Sequence, residues 1–309
     1  MRCVLGFDGG GTKTDCVLMD ETAAILARTR SGPSNPIIVG IDGATAALLE
    51  AAEKALVMAG TSLADVKIVG GGVAGAGATR DLSQIIARLQ AKFVNAHISI
   101  LSDLSMALAA TAETPSVVVI AGTGSAVFGR NAAGETSREG GLGAILGDSG
   151  SAYDISRRAI VAEWRRVRDR VDSHFRTEIL EHFHCNWAEL QEQIRANPVN
   201  LLSGIFPFVA RAANDGDEAA QHLLRSSAEE LAELGARVIA RLNLSSEAFL
   251  FAKTGGVFGR STCFDEPFEQ RLRAMAPKAR IGGLPVPVAE FAARSAVAGL
   301  ERSVRKPAS

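Results

Sequence analysis

The chain has 309 residues, of which 47% are hydrophobic and 22% charged, and its formal net charge is -1 at pH 7. This length exceeds one ordinary hydrophobic core and suits roughly two domains of about 150 residues each. A nearly neutral chain has no overall field to attract nucleic acid or anionic lipid, so we expect neither as a partner.

The chain also lacks the sequence signs of secretion and membrane insertion. The N-terminus reaches Asp8 after a very short apolar run, without the apolar core of a signal peptide, and no stretch approaches the ~20 apolar residues of a membrane span. The sequence therefore predicts a cytoplasmic location. The cysteines show no CxxC spacing, which argues against zinc, an iron–sulfur cluster or a disulfide framework. They stand at positions 3, 16, 185 and 263.

The first half of the chain reads as a strand meander followed by alternating strands and helices. The meander covers residues 3–30 and contains the loop DGGGTKT at 8–14. A loop at 31–36 leads to a helix over about 42–58. Alternation of the later segments implies a parallel part of the sheet. These are a strand at 66–69, a helix at 81–92, a strand at 98–101 and a helix at 104–111.

The meander pattern restarts after a break at 113–116. The apolar run Val117–Ile120 leads to a second glycine-threonine loop, AGTGS at 121–125, and a turn follows at 131–134. We therefore predict an N-terminal domain over 1–114 and a second, more helical domain over 115–287. The helix predicted at 288–303 is expected to return to the first domain. The other predictions are helices at 151–168, 173–184, 187–194, 201–213, 217–242 and 261–275 and a strand at 248–252.

The two glycine-threonine loops have the chemistry of phosphate sites. Glycine allows the backbone to approach a phosphate closely, exposed N–H groups of tight loops bind anions, and threonine hydroxyls add donors. Two such loops could hold one nucleotide. A turn-capping role for Asp8 and a plain hairpin turn for the Thr123 loop are the alternatives.

A third glycine-rich segment formally matches the dinucleotide-binding pattern GxGxxG. It covers residues 70–75, directly after the predicted strand at 66–69. A Rossmann site also needs an acidic residue about 20 positions further on, and the nearest candidate, Asp103, lies further away. The segment is therefore interpreted as a glycine-rich loop between a strand and a helix.

Taken together, the repeated meander and loops resemble the actin, Hsp70 and sugar kinase superfamily. Within it, the chain resembles N-acetylglucosamine kinase and its bacterial relatives of the BadF/BadG type. The resemblance implies an α/β fold of two ribonuclease H-like (actin-like ATPase) domains, with mixed five-stranded sheets flanked by helices and a cleft between the domains. It depends on FDGGGTKT at 7–14, LSD at 101–103, AGTGS at 121–125 and GGLGAILGDSGSAY at 140–153.

The resemblance also implies a nucleotide site for ATP and Mg²⁺. Asp8 would hold a hydrated Mg²⁺ against the phosphates, since carboxylate and phosphate oxygens suit this ion. The phosphate loops would be formed by Gly10, Gly11 and Thr12 and by Thr123, Gly124 and Ser125. The turn at Gly255 and Gly256 would bind adenosine, with Ala213 as another adenine contact.

Asp103 is the candidate catalytic base. It lies between a predicted strand and a predicted helix, where α/β sheets present ligand-facing residues, and it matches the catalytic aspartate of the sugar kinases. Such an aspartate accepts the proton of the attacking sugar hydroxyl. The alternative is a helix N-cap, a role that Ser102 could fill instead.

Asn35 and Asp148 match positions that contact sugar hydroxyls in the family. A carboxylate and an amide can fix the orientation of a sugar ring. Gly141 and Leu142 correspond to backbone positions near the sugar. Asn35 precedes a proline and equally suits an ordinary turn.

The resemblance, together with the chemistry of these loops, implies an ATP-dependent kinase that phosphorylates the 6-hydroxyl of N-acetyl-D-glucosamine. D-Glucosamine and N-acetylmuramic acid stay open as substrates, and a non-kinase ATPase switch of the BadF type is the alternative function. The chain lacks the zinc motif of ROK-type kinases and a cysteine set for the iron–sulfur cluster of dehydratase activators. The oligomeric state stays open, although relatives of this architecture are often homodimers.

Overall fold

Two five-stranded mixed sheets form the framework of the computed structural model, which describes residues 1–76, 79–144 and 146–305. The chain divides into unit 1, which contains Met1–Ala112 and the segment from Leu284, and unit 2, which contains Glu113–Gly283. Each unit holds one of the sheets. Among the described residues, no helix is long and apolar enough to cross a membrane.

The strands of the two units correspond in order. In chain order they are β1 (Cys3–Gly9), β2 (Thr14–Asp20), β3 (Ile25–Ser31), β4 (Val66–Val73), β5 (His97–Ser102), β6 (Ser116–Ala121), β7 (Ser125–Arg130), β8 (Thr136–Gly140), β9 (Leu250–Thr254) and β10 (Arg280–Gly283). The sheet orders are β3-β2-β1-β4-β5 and β8-β7-β6-β9-β10. In both, an antiparallel meander is extended by two parallel strands.

The helices follow the predicted pattern with shifted ends. They are α1 (Pro36–Ala59), α2 (Thr79–Lys92), α3 (Asp103–Ala110), α4 (Ala152–Arg168), α5 (His174–His182), α6 (Trp187–Ala196), α7 (Pro198–Asn214), α8 (Glu218–Arg241), α9 (Thr262–Met275) and α10 (Val288–Arg305). Helix α1 begins before the predicted residue 42, but Gly40 within it has a non-helical φ of 69°. The regular helix therefore starts after Gly40.

Helices cover both faces of the unit 1 sheet because β1 is apolar on both sides. Leu5 and Phe7 belong to the core cluster that includes the alanine-rich face of α1, whereas Val4 belongs to the cluster formed with α10. Alternating strand residues point to opposite faces, so a near-continuous apolar strand requires two covering layers. Helix α10 approaches closely at Gly6, where an added Cβ would lie 2.2 Å from the Ala289 carbonyl oxygen.

The segment that matches GxGxxG is largely a strand. Gly70, Gly71 and Gly72 lie within β4, so the prediction of a loop there is wrong. An added Cβ would lie 2.7 Å from Phe7 Cβ at Gly71 and 2.8 Å from Met106 Cβ at Gly72. The glycines therefore serve close packing of β4 against its neighbours.

Candidate functional site

In unit 1, the first glycine loop joins β1 to β2. Asp8 is the penultimate residue of β1 and pairs with Asp15 of β2 and Gly72 of β4. The loop is closed by Gly10 N–H, which donates to the Lys13 carbonyl at 2.8 Å. This bond leaves Gly11 buried and Thr12 exposed at the tip of the loop.

The charges around Asp8 favour a cation. Burial is the largest cause that raises the pKa of Asp8 to about 6, and the carboxylates of Asp15 and Asp103 raise it further, while Lys13 lowers it. Asp15 is neutralised by Lys13 at 2.7 Å and by Arg30 at 2.6 Å. A divalent ion near Asp8 would offset the repulsion that disfavours the charged carboxylate.

The Asp8 carboxylate suits a Mg²⁺ ion that is also bound by phosphates and waters better than it suits a metal held by protein side chains alone. In the part of the chain that the structure describes, no group of three or more histidine, cysteine, aspartate or glutamate side chains could hold a metal ion. Mg²⁺ in nucleotide sites is usually bound by one or two carboxylates, with phosphates and waters completing its shell. Asp8, beside a glycine loop, meets that requirement.

Asp103 lies at the first position of α3, directly after β5. Ser102 is the N-cap, and its hydroxyl accepts a hydrogen bond from Ser105 N–H at 3.2 Å. The capping role is thus filled by Ser102, and Asp103 Oδ1 accepts from its own neighbour Leu104 N–H at 2.9 Å. Asp103 therefore lies in the first turn of α3, where the helix dipole favours a negatively charged side chain.

Asp103 lies near Asp8, because both are close to Gly72 of β4. Gly72 of β4 pairs with Asp8, and a Cβ added at Gly72 would lie 3.2 Å from Asp103 Cα. The electrostatic effect of Asp103 on the pKa of Asp8 follows from this proximity. The structure therefore brings the predicted metal ligand and the predicted base to the same end of the unit 1 sheet.

Asn35 joins this end of the sheet as the N-cap of α1. Its Oδ1 accepts a hydrogen bond from Ile37 N–H at 2.9 Å. A Cβ added at Gly75, whose φ is +72°, would lie 2.0 Å from the same oxygen. Ser34 N–H donates to the Gly10 carbonyl at 3.0 Å, which ties the Asn35 segment to the glycine loop.

In unit 2, the second glycine-threonine loop is bonded to the segment after β8. The Ser125 hydroxyl donates to the Ser149 carbonyl at 2.8 Å. Ala152 N–H donates to the Gly122 carbonyl at 2.8 Å, and Gly141 N–H donates to the Ser125 carbonyl at 2.9 Å. The predicted phosphate loop and the predicted sugar loop therefore form one hydrogen-bonded structure.

Asp148 lies directly against this predicted phosphate loop. It is 7% exposed and adopts a left-handed backbone conformation with a φ of 61°. A Cβ added at Gly124 would lie 2.6 Å from Asp148 Oδ2. Nearby, Gly141 has a φ of 66° and the Leu142 side chain is 67% exposed. Ile145 of the same motif lies outside the described residues.

The predicted adenosine turn packs on the end of β6. Gly255 has a φ of 107°, and an added Cβ would lie 2.2 Å from the Ala121 carbonyl oxygen. Val257 N–H donates to that oxygen at 3.0 Å. A Cβ added at Gly122 would lie 3.9 Å from Gly256 N, so the turn adjoins the Thr123 loop.

Ala213, the other predicted adenine contact, lies near the end of α7. Its side chain is 1% exposed, and its carbonyl accepts hydrogen bonds from Gln221 Nε2 at 2.9 Å and from Gly216 N–H at 3.2 Å. Its neighbour Asn214 donates through Nδ2 to the Arg260 carbonyl at 3.0 Å, which connects the end of α7 to the segment after the adenosine turn.

Two residues to which the sequence assigned no role in the site contact these loops. Gly75 abuts Asn35, and Arg138 Nη2 donates to the Gly141 carbonyl at 2.8 Å. Arg138 stands close in sequence to the glycine-rich motif at 140–153, which was the available signal. The contact of Gly75 with Asn35 joins segments that are far apart in sequence, so no local pattern indicates it.

Comparisons with known proteins confirm the predicted family. The model of the BadF/BadG/BcrA/BcrD ATPase family matches residues 5–281. An N-acetylmuramic acid/N-acetylglucosamine kinase from Clostridium acetobutylicum is 29% identical over 290 residues, which cover 91% of this chain and 94% of the relative. An N-acetyl-D-glucosamine kinase from Dictyostelium discoideum is 28% identical over 299 residues, 90% of this chain and 92% of the relative.

Solved structures show the same fold. A crystal structure of a proposed N-acetylglucosamine kinase from Chromobacterium violaceum has a TM-score of 0.76 at 22% identity and covers 95% of this chain and 98% of its own. A ROK family glucokinase from Streptomyces griseus, in complex with glucose and AMPPNP, has a TM-score of 0.60 at 18% identity, with 95% and 98% coverage. The predicted actin-like ATPase fold with mixed five-stranded sheets is confirmed.

Proposed function

Because the chain belongs to the BadF/BadG/BcrA/BcrD ATPase family, we propose that it is an ATP-dependent amino-sugar kinase. Its proposed reaction transfers the γ-phosphoryl group of ATP to the 6-hydroxyl of N-acetyl-D-glucosamine. The observation that carries the proposal is the placement of Asp8, Asn35 and Asp103 at one end of the unit 1 sheet, around the glycine loop. The names of the two curated relatives support the choice of substrate.

The nucleotide is proposed to bind through the two glycine-threonine loops and the adenosine turn. Backbone N–H groups of Gly10, Gly11 and Thr12 would contact phosphate oxygens, as would Thr123 and Gly124. Gly255 and Gly256, with Ala213, are the proposed adenosine contacts. Asp8 would hold Mg²⁺, which supplies neutralisation of charge on the phosphates.

Asp103 is the proposed general base. As the sugar O6 forms its bond to the γ-phosphorus, the bond from that phosphorus to the oxygen bridging the β- and γ-phosphates breaks, and the O6 proton passes to the Asp103 carboxylate. ADP leaves with the bridging oxygen. Because Ser102 caps α3, the Asp103 side chain is not required for the helix start.

Sugar recognition is proposed for Asn35, Asp148, Gly141 and Leu142. The Asn35 side chain is fixed through Oδ1 by the α1 N-terminus. Asp148 is held against Gly124, which fixes the position of an acceptor for sugar hydroxyls. N-Acetylmuramic acid is the second candidate substrate, because the Clostridium acetobutylicum relative is named for both sugars.

The proposal is tested by measuring ADP release from ATP and Mg²⁺ with N-acetylglucosamine, N-acetylmuramic acid, glucosamine, glucose or no sugar. We expect turnover that depends on an amino sugar. Hydrolysis at the same rate without sugar would contradict the kinase proposal and favour an ATPase switch.

The role of Asp103 is tested by Asp103→Asn. Loss of a general base lowers kcat by about 10²–10⁴-fold, while ATP affinity should change little. Asp81→Asn is the matched control, since Asp81 also lies in the first turn of a unit 1 helix. Full activity of Asp103→Asn in steady-state kinetics would exclude Asp103 as the base.

A further inference from the structure

Arg138 is an exposed arginine next to the proposed sugar loop. It lies on β8, pairs with Phe128 of β7, and precedes Gly140 at the end of the strand. Its Nη2 donates to the Gly141 carbonyl at 2.8 Å. Among the ion pairs of the described residues, none joins Arg138 to a carboxylate, whereas its neighbour Glu139 pairs with Arg237 and Arg241.

The peptide groups of Gly141 are held from both sides. Its N–H donates to the Ser125 carbonyl at 2.9 Å, and its carbonyl accepts from Arg138. The φ of 66° is one that glycine adopts without strain, and a Cβ at this position would lie 2.2 Å from Arg138 Nη2. The positive φ is the main reason for glycine at 141, and the tip of the Arg138 side chain lies where a Cβ would be.

The charged side chain adds more than packing. A hydrogen bond from guanidinium to a carbonyl is charge-assisted and stronger than a neutral one. The planar guanidinium also fixes direction, because its donors form a rigid fork. A carbonyl oxygen can accept two hydrogen bonds, so the Gly141 oxygen can take a second donor besides Arg138.

We propose that Arg138 is a positioning residue for substrate specificity: it sets the Gly141 carbonyl to accept a hydroxyl of the sugar. This inference rests on the proposed kinase function. Arg138 acts through Gly141 and takes no part in phosphoryl transfer. Its loss should therefore weaken sugar binding and leave nucleotide binding and chemistry unchanged.

The first test measures hydrogen exchange of the Gly141 and Leu142 amides without any ligand, in wild type, Arg138→Ala and Arg138→Lys. We expect faster exchange in Arg138→Ala and an intermediate rate in Arg138→Lys, which keeps one charged donor. Arg241→Ala is the matched control, because it removes another exposed arginine beside β8 that pairs with Glu139. Wild-type exchange in Arg138→Ala would overturn the inference.

The second test is steady-state kinetics with the sugar that the wild type uses. If the Gly141 carbonyl is no longer oriented to accept from the sugar, the loss of that sugar hydrogen bond should raise the sugar KM of Arg138→Ala about tenfold, with kcat and the ATP KM within about twofold. Arg138→Lys should recover part of the loss. An unchanged sugar KM, or an equal fall in kcat, would overturn the positioning role, whereas a wild type without sugar-dependent turnover would overturn the kinase proposal itself.

Discussion

Gly124 is a residue whose identity is set by its neighbour. An added Cβ would lie 2.6 Å from Asp148 Oδ2, and Asp148 is buried with a left-handed backbone conformation. We expect Gly124→Ala to displace the Asp148 carboxylate and to raise the sugar KM at least about tenfold, since a shift of about 1 Å can cost up to 10²-fold. Sugar-dependent ADP release gives the measurement.

Gly204→Ala serves as the control for this substitution. Gly204 lies in α7, and apart from its chain neighbours and the nearby backbone of its own helix, no described atom lies within 4 Å of its added Cβ. Alanine in a helix interior is more favourable than glycine by up to about 1 kcal/mol, so this variant should be as active as wild type and slightly more stable. A sugar KM within twofold of wild type in Gly124→Ala would show that Asp148 does not set sugar affinity.

Local sequence patterns indicate some residues of the candidate site but not others. Asp8, Gly10 and Asp103 were identifiable because each belongs to a short string between a strand and its successor, where local chemistry indicates a ligand. Arg138 was overlooked although it stands just before the glycine-rich motif, because its contact with the Gly141 carbonyl is seen only in the fold, and the contact of Gly75 with Asn35 joins segments that are far apart in sequence. Tertiary contacts of this kind leave no periodic pattern.

At the scale of elements, the helices were the most predictable parts of the fold. The helix predicted at 151–168 occurs as α4, because the Ser151 hydroxyl accepts from Asp154 N–H and starts the helix there. Strand β10, at Arg280–Gly283, was missed because it is short and ends in two glycines. The end of β4 was also missed, since a glycine run usually indicates a loop and here serves packing against Phe7.

Helix α10 is joined to the unit 1 sheet by a small ion-pair network. Glu290 accepts hydrogen bonds from Arg28 of β3 and from Arg294 of α10. Both arginines lower the pKa of Glu290, and Arg28 has the larger effect. A carboxylate with a lowered pKa stabilises the fold above its unfolded-state pKa. That contribution is lost as the pH falls through the folded-state value.

We therefore expect Glu290→Gln to lower the free energy of unfolding near pH 7 by about 1 kcal/mol, a value limited by the half-exposed arginines. The difference from wild type should shrink as the pH falls below about 4.5, the ordinary pKa range of glutamate. Urea unfolding at several pH values gives the measurement. Glu50→Gln, which breaks an exposed pair with Lys54, should have a smaller effect. A pH-independent difference would contradict the network.

At the scale of the whole molecule, the two sheets have the same topology. Strands β1 to β5 and β6 to β10 have the same order and directions. The two glycine-threonine loops follow β1 and β6, the corresponding first strands, which is why their repetition in the sequence indicated the fold. The last two strands of each sheet follow helical segments of very different length, so the repeat was visible only in the meanders.

Unit 2 is formed by one continuous segment of the chain, whereas unit 1 is formed by two. Unit 2 is continuous, with a core that includes Phe251, Phe264 and Phe268, whereas unit 1 needs α10 to cover Val4 and Met19. We expect residues 113–283 alone to unfold cooperatively on heating and residues 1–112 alone to lack a cooperative transition. Circular dichroism melts of the two fragments test this. A cooperative melt of residues 1–112 would show that α10 is dispensable.

The interrupted path of unit 1 sets an order of events during synthesis. The ribosome makes β1 to β5 first but makes α10 only after residues 113–283, which take roughly 10–35 s at about 5–20 residues per second. During that interval one apolar face of the first sheet has no covering helix, while the second unit can already fold. Until α10 is made, the nascent N-terminal segment therefore exposes the apolar face formed by Val4, Val17 and Met19, although this segment is translated first.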